Sequence, residues 1–136
     1  MNSEQPLLLV EDDEIDVLTF KRSLKEIHLA NHLYVASDGE EALSILREPA
    51  YARPCLILLD LNMPRMTGLE FLRMVKQDEH LKRIPVIILT TSNDERDKIE
   101  SFKLGVAGYM VKPVDYHQFV EVIRIIDLYW TLSELP

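Results

Sequence analysis

The sequence is short of several residue types, and each shortage excludes a class of protein. A single cysteine, Cys55, rules out an internal disulfide, so the fold has to depend on a hydrophobic core. No apolar run approaches the roughly 20 residues that a membrane-spanning helix needs. Residues 1–6 also lack the basic and then apolar pattern of a signal peptide. We therefore expect a soluble protein of the reducing cytoplasm, without a membrane partner.

Basic residues are also in deficit. The chain has 15 Lys and Arg against 23 Asp and Glu among 136 residues, a formal net charge of −8. Because the phosphate backbones of nucleic acids attract basic surfaces, this balance argues against nucleic acid as a direct partner and leaves other proteins. The apolar fraction of 47% suits one compact domain, which we expect to occupy residues 1–136.

What the sequence does contain is an alternation of short apolar runs with longer segments of helical periodicity. The runs predicted to be strands are residues 7–10, 33–36, 56–59, 86–89 and 109–111. The third and fourth are apolar throughout, which is typical of parallel strands that are covered on both faces. The pattern predicts a doubly wound α/β fold: five parallel strands with helices on both faces of the sheet and right-handed crossovers.

Polar residues follow four of these predicted strands. Glu11 and Asp12 come after the first, Asp60 after the third, Thr90 after the fourth and Lys112 after the fifth. In open α/β sheets the site lies beyond the carboxyl ends of the strands, so we expect these distant residues to be neighbours. Each one alone has an ordinary explanation as a helix cap, a turn residue or a solvated side chain. Their coincidence at four strand ends indicates a functional site.

Carboxylates that face each other across such a site repel unless a cation neutralises them. A hard divalent ion with oxygen ligands fits this need, and Mg²⁺ uses few carboxylates while sharing a phosphate oxygen. We expect Asp12 and Asp60 to bind Mg²⁺ through their side chains and Asn62 through its backbone carbonyl. Glu11 would act indirectly, through a neighbouring ligand or a metal-bound water.

A carboxylate, a hydroxyl and a fixed ammonium group beside Mg²⁺ suit phosphoryl transfer, which depends on positioning and charge neutralisation. Asp60 would be the nucleophile and form an aspartyl phosphate. Thr90 would donate a hydrogen bond to the transferred group, and Lys112 would hold another of its oxygens.

Four segments taken together resemble the motif set of the receiver domains of two-component response regulators. The segments are Val10-Glu11-Asp12-Asp13, Leu58-Leu59-Asp60-Leu61-Asn62-Met63-Pro64, Leu89-Thr90-Thr91 and Tyr109-Met110-Val111-Lys112-Pro113. The resemblance extends from Leu7 to about Leu128. It implies a flavodoxin-like, CheY-like (βα)5 fold with strand order 2-1-3-4-5. It also implies that a sensor histidine kinase or a phosphorelay protein delivers the phosphoryl group from a phosphohistidine.

The resemblance assigns roles to further residues. Thr90 and Tyr109 correspond to the switch pair, in which the aromatic ring swings inward when the hydroxyl moves, and Lys112 corresponds to the phosphate-binding lysine. The bond from Lys112 to Pro113 is implied to be cis. Asn62 and Ser92 occupy positions at which the family tunes dephosphorylation.

The loop before the third predicted helix departs from the family at one position. Thr67 stands where an aspartate is commoner, and we expect this to affect the loop only. The next residue, Gly68, is expected to supply backbone freedom in a turn.

The last predicted helix, residues 115–132, has two apolar faces. One should pack on the sheet and comprises Phe119, Val122, Ile123, Ile126 and Trp130. The opposite stripe of Ile125, Leu128 and Leu132 favours a contact surface, either for a homodimer or for a partner. Residues 127–132 also resemble, more loosely, the C-termini of small response regulators paired with bacterial phytochromes. That likeness implies a phytochrome as the kinase.

These patterns predict a signalling protein rather than an enzyme, with self-phosphorylation and self-dephosphorylation as its only chemistry. The last predicted helix lies near the end of the sequence, so we expect no output domain and an output through protein contacts. A phosphatase that uses an aspartyl phosphate is one alternative, but it favours Asp-x-Asp after its first strand. An interaction module that has lost phosphorylation is another, but it would lack one of the residues at the strand ends.

Overall fold

Strands and helices alternate five times in the computed structural model, which describes residues 5–132. The strands are β1 (Leu7–Val10), β2 (Leu33–Ala36), β3 (Leu56–Leu59), β4 (Val86–Thr90) and β5 (Gly108–Val111). The helices are α1 (Glu14–Glu26), α2 (Gly39–Arg47), α3 (Gly68–Gln77), α4 (Glu95–Lys103) and α5 (Tyr116–Leu132). All strand pairs are parallel and the order is β2-β1-β3-β4-β5, so the predicted fold is confirmed.

The strand order determines where a site can form. β1 and β3 are neighbours although β2 lies between them in sequence, and the register pairs Val10 with Leu59. The residue after each strand, Glu11 and Asp60, therefore emerges at the same edge of the sheet. Such a reversal of strand order opens a crevice at the carboxyl ends of the strands.

The three central strands are apolar, apart from Thr90 at the end of β4, because helices cover both of their faces. Alternate residues of one strand point to opposite sides. Leu8 and Val10 of β1 join the core beneath α2 and α3, whereas Leu7 and Leu9 join the core beneath α1 and α5. The sheet is thereby held from both sides, and its strand ends are fixed relative to each other.

The inner face of α5 packs on this second core as predicted. Of the five residues predicted for this face, four are buried, and Val122 is partly buried against them. The four are Phe119, Ile123, Ile126 and Trp130. Phe119 meets Phe20 of α1 edge to face, with ring centroids 6.5 Å apart. Helix α5 is therefore anchored to both the sheet and α1.

Three helix boundaries have clear local causes. Asp38 accepts a hydrogen bond from the Glu41 N–H and caps α2. Thr67 caps α3 and forms a reciprocal capping box with Glu70. The unusual threonine thus stabilises a helix start. Gly105 follows α4 with a φ of 86°, a conformation in which glycine commonly ends a helix.

Two expectations from the sequence were wrong. Gly68 has no positive φ and begins α3. It is required because a Cβ there would lie 2.4 Å from the Asp60 carbonyl oxygen. The Lys112–Pro113 bond is trans, like every peptide bond in residues 5–132. The trans isomer is the lower-energy one by about 0.5–1 kcal/mol, and Lys112 reaches Asp60 with the bond in this state.

None of the helices within residues 5–132 combines the length and the apolar character needed to cross a bilayer. Residues 1–4 and 133–136 lie outside the described part of the chain. The expectation that no signal peptide is present falls mostly on the first of these segments. The side chain of Leu132 also lies outside the described part.

Candidate metal and phosphoacceptor site

Three carboxylates converge at the carboxyl edge of the sheet. One oxygen each from Glu11, Asp12 and Asp60 lies within 4.8 Å of the others. Sheet hydrogen bonding continues past the strand ends and fixes two of them. The Glu11 N–H donates to the Ala36 carbonyl at 2.9 Å, and the Asp60 N–H donates to the Val10 carbonyl at 3.0 Å. Glu11 and Asp60 are buried whereas Asp12 is exposed, so the cluster opens to solvent at Asp12.

One oxygen of the Asp60 carboxylate is held by two donors. The Thr90 hydroxyl donates to Oδ1 at 2.6 Å, and the Asn62 N–H donates to the same atom at 3.2 Å. Thr90 is fully buried at the end of β4, where its carbonyl accepts the Lys112 N–H at 2.7 Å. The hydroxyl therefore comes from a rigid part of the sheet.

The Lys112 ammonium is shared among three carboxylates. Its Nζ donates to Glu11, to Asp16 Oδ2 at 2.9 Å and to Asp60 Oδ2 at 3.3 Å. An ammonium group has three N–H donors, so each carboxylate takes one. The predicted residues of four strand ends are thus in one cluster.

Asp16 was not predicted, although a sequence signal for it existed. It lies in the first turn of α1, four residues after Asp12. A helix that begins beside an acidic strand end presents its first turn to the same site. An acidic residue in that turn was therefore a candidate.

The environment shifts the ionisation of this cluster. Burial raises the pKa of Glu11 to about 8; the hydrogen bond from Lys112 opposes the shift and the neighbouring Asp60 adds to it. Burial also acts to raise the pKa of Asp60. Hydrogen bonds from Thr90 and Glu11 and the Lys112 charge outweigh it and hold that pKa below its usual range. Asp60 is therefore ionised, as a nucleophile must be.

Thr90 and Tyr109 are linked through Ser92. The Ser92 N–H donates to Thr90 Oγ1 at 3.3 Å, and the Tyr109 hydroxyl donates to the Ser92 carbonyl at 2.9 Å. The Ser92 hydroxyl donates to Asp97 at 2.6 Å, which ties the segment to α4. A movement of Thr90 would therefore disturb the position of the half-buried Tyr109 ring.

A second ion pair supports the loop after Asp60, and the sequence did not predict it. Arg65 has a φ of 60° and its guanidinium contacts the buried carboxylate of Asp38. The contact joins the loop after β3 to the start of α2. A positive φ is uncommon for a residue with a long side chain.

The family is established by the sequence and not by the geometry alone. Residues 7–124 match the response regulator receiver domain. The chain therefore belongs to the response regulators, which are signalling proteins of two-component systems. Phosphorylation of an aspartate and binding of Mg²⁺ are typical of that family.

Two response regulators, Rcp1 and RcpA, are similar to this chain over nearly its whole length. Response regulator Rcp1 of Synechocystis sp. is 37% identical over 133 residues, which cover 95% of this chain and 90% of Rcp1. The phosphorylated cyanobacterial phytochrome response regulator RcpA is 36% identical with a TM-score of 0.89, over 97% of this chain and 98% of RcpA. The Mn²⁺-bound form of Rcp1 is 36% identical with a TM-score of 0.88, over 97% and 99% of the two chains.

Proposed function

We propose that Asp60 accepts a phosphoryl group from the phosphohistidine of a sensor histidine kinase or a phosphorelay protein. This proposal rests on the groups that surround Asp60, whose carboxylate is buried and ionised. Thr90 binds one of its oxygens, Lys112 binds the other, and two further carboxylates lie within 4.8 Å. Such a set offers a nucleophile together with donors for the oxygens of an incoming phosphoryl group.

The step is a simple exchange of bonds at phosphorus. An Asp60 oxygen forms the new O–P bond while the P–N bond to the donor imidazole breaks. The electron pair of that bond stays on the imidazole nitrogen, and a proton on the other ring nitrogen lets the ring leave in its neutral form. Thr90 and Lys112, which hold the Asp60 oxygens beforehand, then donate to phosphoryl oxygens.

The residues at this edge fit a hard divalent cation. The donor set is made of oxygens only, and carboxylate oxygens are the ligands that Mg²⁺ prefers. We propose that Asp12, Asp60 and the Asn62 carbonyl hold Mg²⁺, with Glu11 acting indirectly. The Mn²⁺-bound form of the relative Rcp1 supports a divalent ion. When bound, the ion neutralises negative charge on the phosphoryl oxygens.

Apolar side chains beside the site support a protein partner. Ile15 and Leu18 of α1 are exposed on the helix that begins at the acidic cluster. The net charge of −8 disfavours nucleic acid, so we propose that the chain signals through protein contacts. A phytochrome histidine kinase is the phosphodonor we favour, because the relatives Rcp1 and RcpA are response regulators and RcpA is named for a phytochrome.

The outer face of α5 supports a homodimer. Ile125 is 56% exposed and Leu128 is 55% exposed, while the opposite face of the same helix is buried. An apolar stripe of this kind favours a contact surface. Leu128→Asp should lower the apparent mass in sedimentation, with and without beryllofluoride as a phosphoryl mimic, whereas Leu18→Asp on α1 should not. A wild-type protein that is a strict monomer in both states would contradict the homodimer.

Labelling tests the acceptor directly. Acetyl phosphate with Mg²⁺ should add one phosphoryl group to the protein, measured by intact mass or on a Phos-tag gel, and Asp60→Asn should abolish the label. Asp78→Asn, at the end of α3, removes the same charge and is the matched control. A label that survives in Asp60→Asn would identify another acceptor. Steady hydrolysis of an external phosphoester would favour a phosphatase instead.

A further inference from the structure

Asp16 contacts the site but has no part in the phosphoryl transfer described above. Its Oδ2 lies 2.9 Å from Lys112 Nζ, closer than the 3.3 Å between Lys112 Nζ and Asp60 Oδ2. The Asp16 side chain is 36% exposed whereas that of Lys112 is 8% exposed. Asp16 therefore stands at the mouth of the site and binds the ammonium from the solvent side of a buried cluster.

Lys112 needs such an anchor because its charge sits at the end of a flexible four-carbon chain. Its backbone is fixed in the sheet by the hydrogen bond to the Thr90 carbonyl, but this leaves the ammonium free to rotate. Contacts with Glu11 and Asp16 take two of its three N–H donors. The third donor is thereby directed at Asp60 Oδ2.

The same arrangement has a consequence for a phosphorylated Asp60. The donor on Asp60 Oδ2 is the one that passes to a phosphoryl oxygen, while the contacts with Glu11 and Asp16 do not have to break. Phosphoryl gain and phosphoryl loss both pass through a state with negative charge on these oxygens. An anchor for Lys112 therefore acts on both rates in the same direction.

We propose that Asp16 is a positioning residue, which anchors the Lys112 ammonium and thereby accelerates both phosphorylation and dephosphorylation of Asp60. This inference rests on the proposed phosphoryl transfer to Asp60. A hydrogen bond between charged groups at a half-exposed position corresponds to a rate effect of about 3- to 10-fold.

The test compares two single-charge changes in the first turn of α1. Asp16→Asn should slow labelling by acetyl phosphate and also the loss of the label by about 3- to 10-fold each. Glu14→Gln is the matched control, because exposed Glu14 is not an acceptor of Lys112 within residues 5–132. It should leave both rates within about twofold of wild type. Asp16→Glu keeps the carboxylate and should restore part of each rate. Far-UV circular dichroism of each variant verifies the fold.

A double mutant separates positioning from a general charge effect. In a Lys112→Ala background, Asp16→Asn should have no further effect on either rate, because Asp16 acts through Lys112. The proposal is overturned if Asp16→Asn matches Glu14→Gln, if it changes only one of the two rates, or if its full effect persists without Lys112. A wild-type protein that takes no label, or an Asp60→Asn variant that does, refutes the phosphoryl transfer itself.

Discussion

Gly68→Ala adds only a methyl group, yet we expect it to lower the free energy of unfolding substantially. A Cβ on this residue would lie 2.4 Å from the Asp60 carbonyl oxygen and 2.6 Å from the Leu61 Cα. A carbon and a carbonyl oxygen normally approach to about 3.3 Å, so a gap of nearly an ångström has to open. Both neighbours are backbone atoms and cannot turn away. The start of α3 or the loop after β3 must therefore move.

The cost follows from two opposing contributions. Forcing extra volume into a packed site costs up to about 3 kcal/mol, and alanine regains about 0.5–1 kcal/mol over glycine in a helix. We expect Gly68→Ala to lower the free energy of unfolding by about 2 kcal/mol, or the Tm by roughly 8 °C for a chain of this size. Phosphorylation should slow as well, because the carbonyl that has to move belongs to Asp60.

Gly108→Ala provides the matched control for this prediction. A Cβ on Gly108 would meet the Ile87 side chain at 3.8 Å, an ordinary contact distance. Urea unfolding followed by far-UV circular dichroism should place Gly108→Ala within about 0.5 kcal/mol of wild type. If the two alanine variants unfold at the same urea concentration, the steric argument is refuted.

Three further perturbations have expected outcomes. The hydrogen bond from the Glu41 N–H and the contact with Arg65 hold the pKa of Asp38 below its usual range although burial opposes them. This stabilisation is present above the unfolded pKa of about 3.9 and is lost as pH falls through the folded value. Asp38→Asn, which still caps a helix, should therefore destabilise the protein at pH 7 more than at pH 3 in urea unfolding. Thr67→Ala should cost about 1 kcal/mol in the same assay through loss of the α3 cap, and Thr67→Asp should cost less. Mg²⁺ that binds only the folded protein should stabilise it by about 2.7 kcal/mol at a concentration of 100 times its Kd, and the Tm should rise accordingly. EDTA or Asp12→Asn should remove that rise.

The sequence predicted the parts of the site that depend on strand ends. Asp60, Thr90 and Lys112 each lie at the end of an apolar run. The alternation of these runs with helical segments predicts a parallel sheet, and sites in such sheets lie beyond the carboxyl ends of the strands, so the three residues are predicted to be neighbours. The buried face of α5 was predictable for a similar reason, since its apolar residues recur at helical spacing.

The parts that were missed depend on side-chain reach or on contacts between loops. The ion pair of Arg65 with Asp38 joins residues 27 apart, and no local pattern encodes it. The Asp16 contact depends on where the first turn of α1 points. The role of Gly68 depends on the path of the chain after Asp60, which is a tertiary property. The trans bond before Pro113 departs from the cis bond that the family resemblance implied.

The burial of Trp130 gives the protein an intrinsic optical probe. It is the sole tryptophan of the sequence, and it lies on the inner face of α5 among the residues that cover the sheet. Its fluorescence emission therefore reports how α5 packs on the sheet. It does not report directly on the chemistry at the carboxyl ends of the strands. Any fluorescence change upon phosphorylation would have to be relayed through the protein interior, so an unlabelled sample can report whether the signal reaches α5.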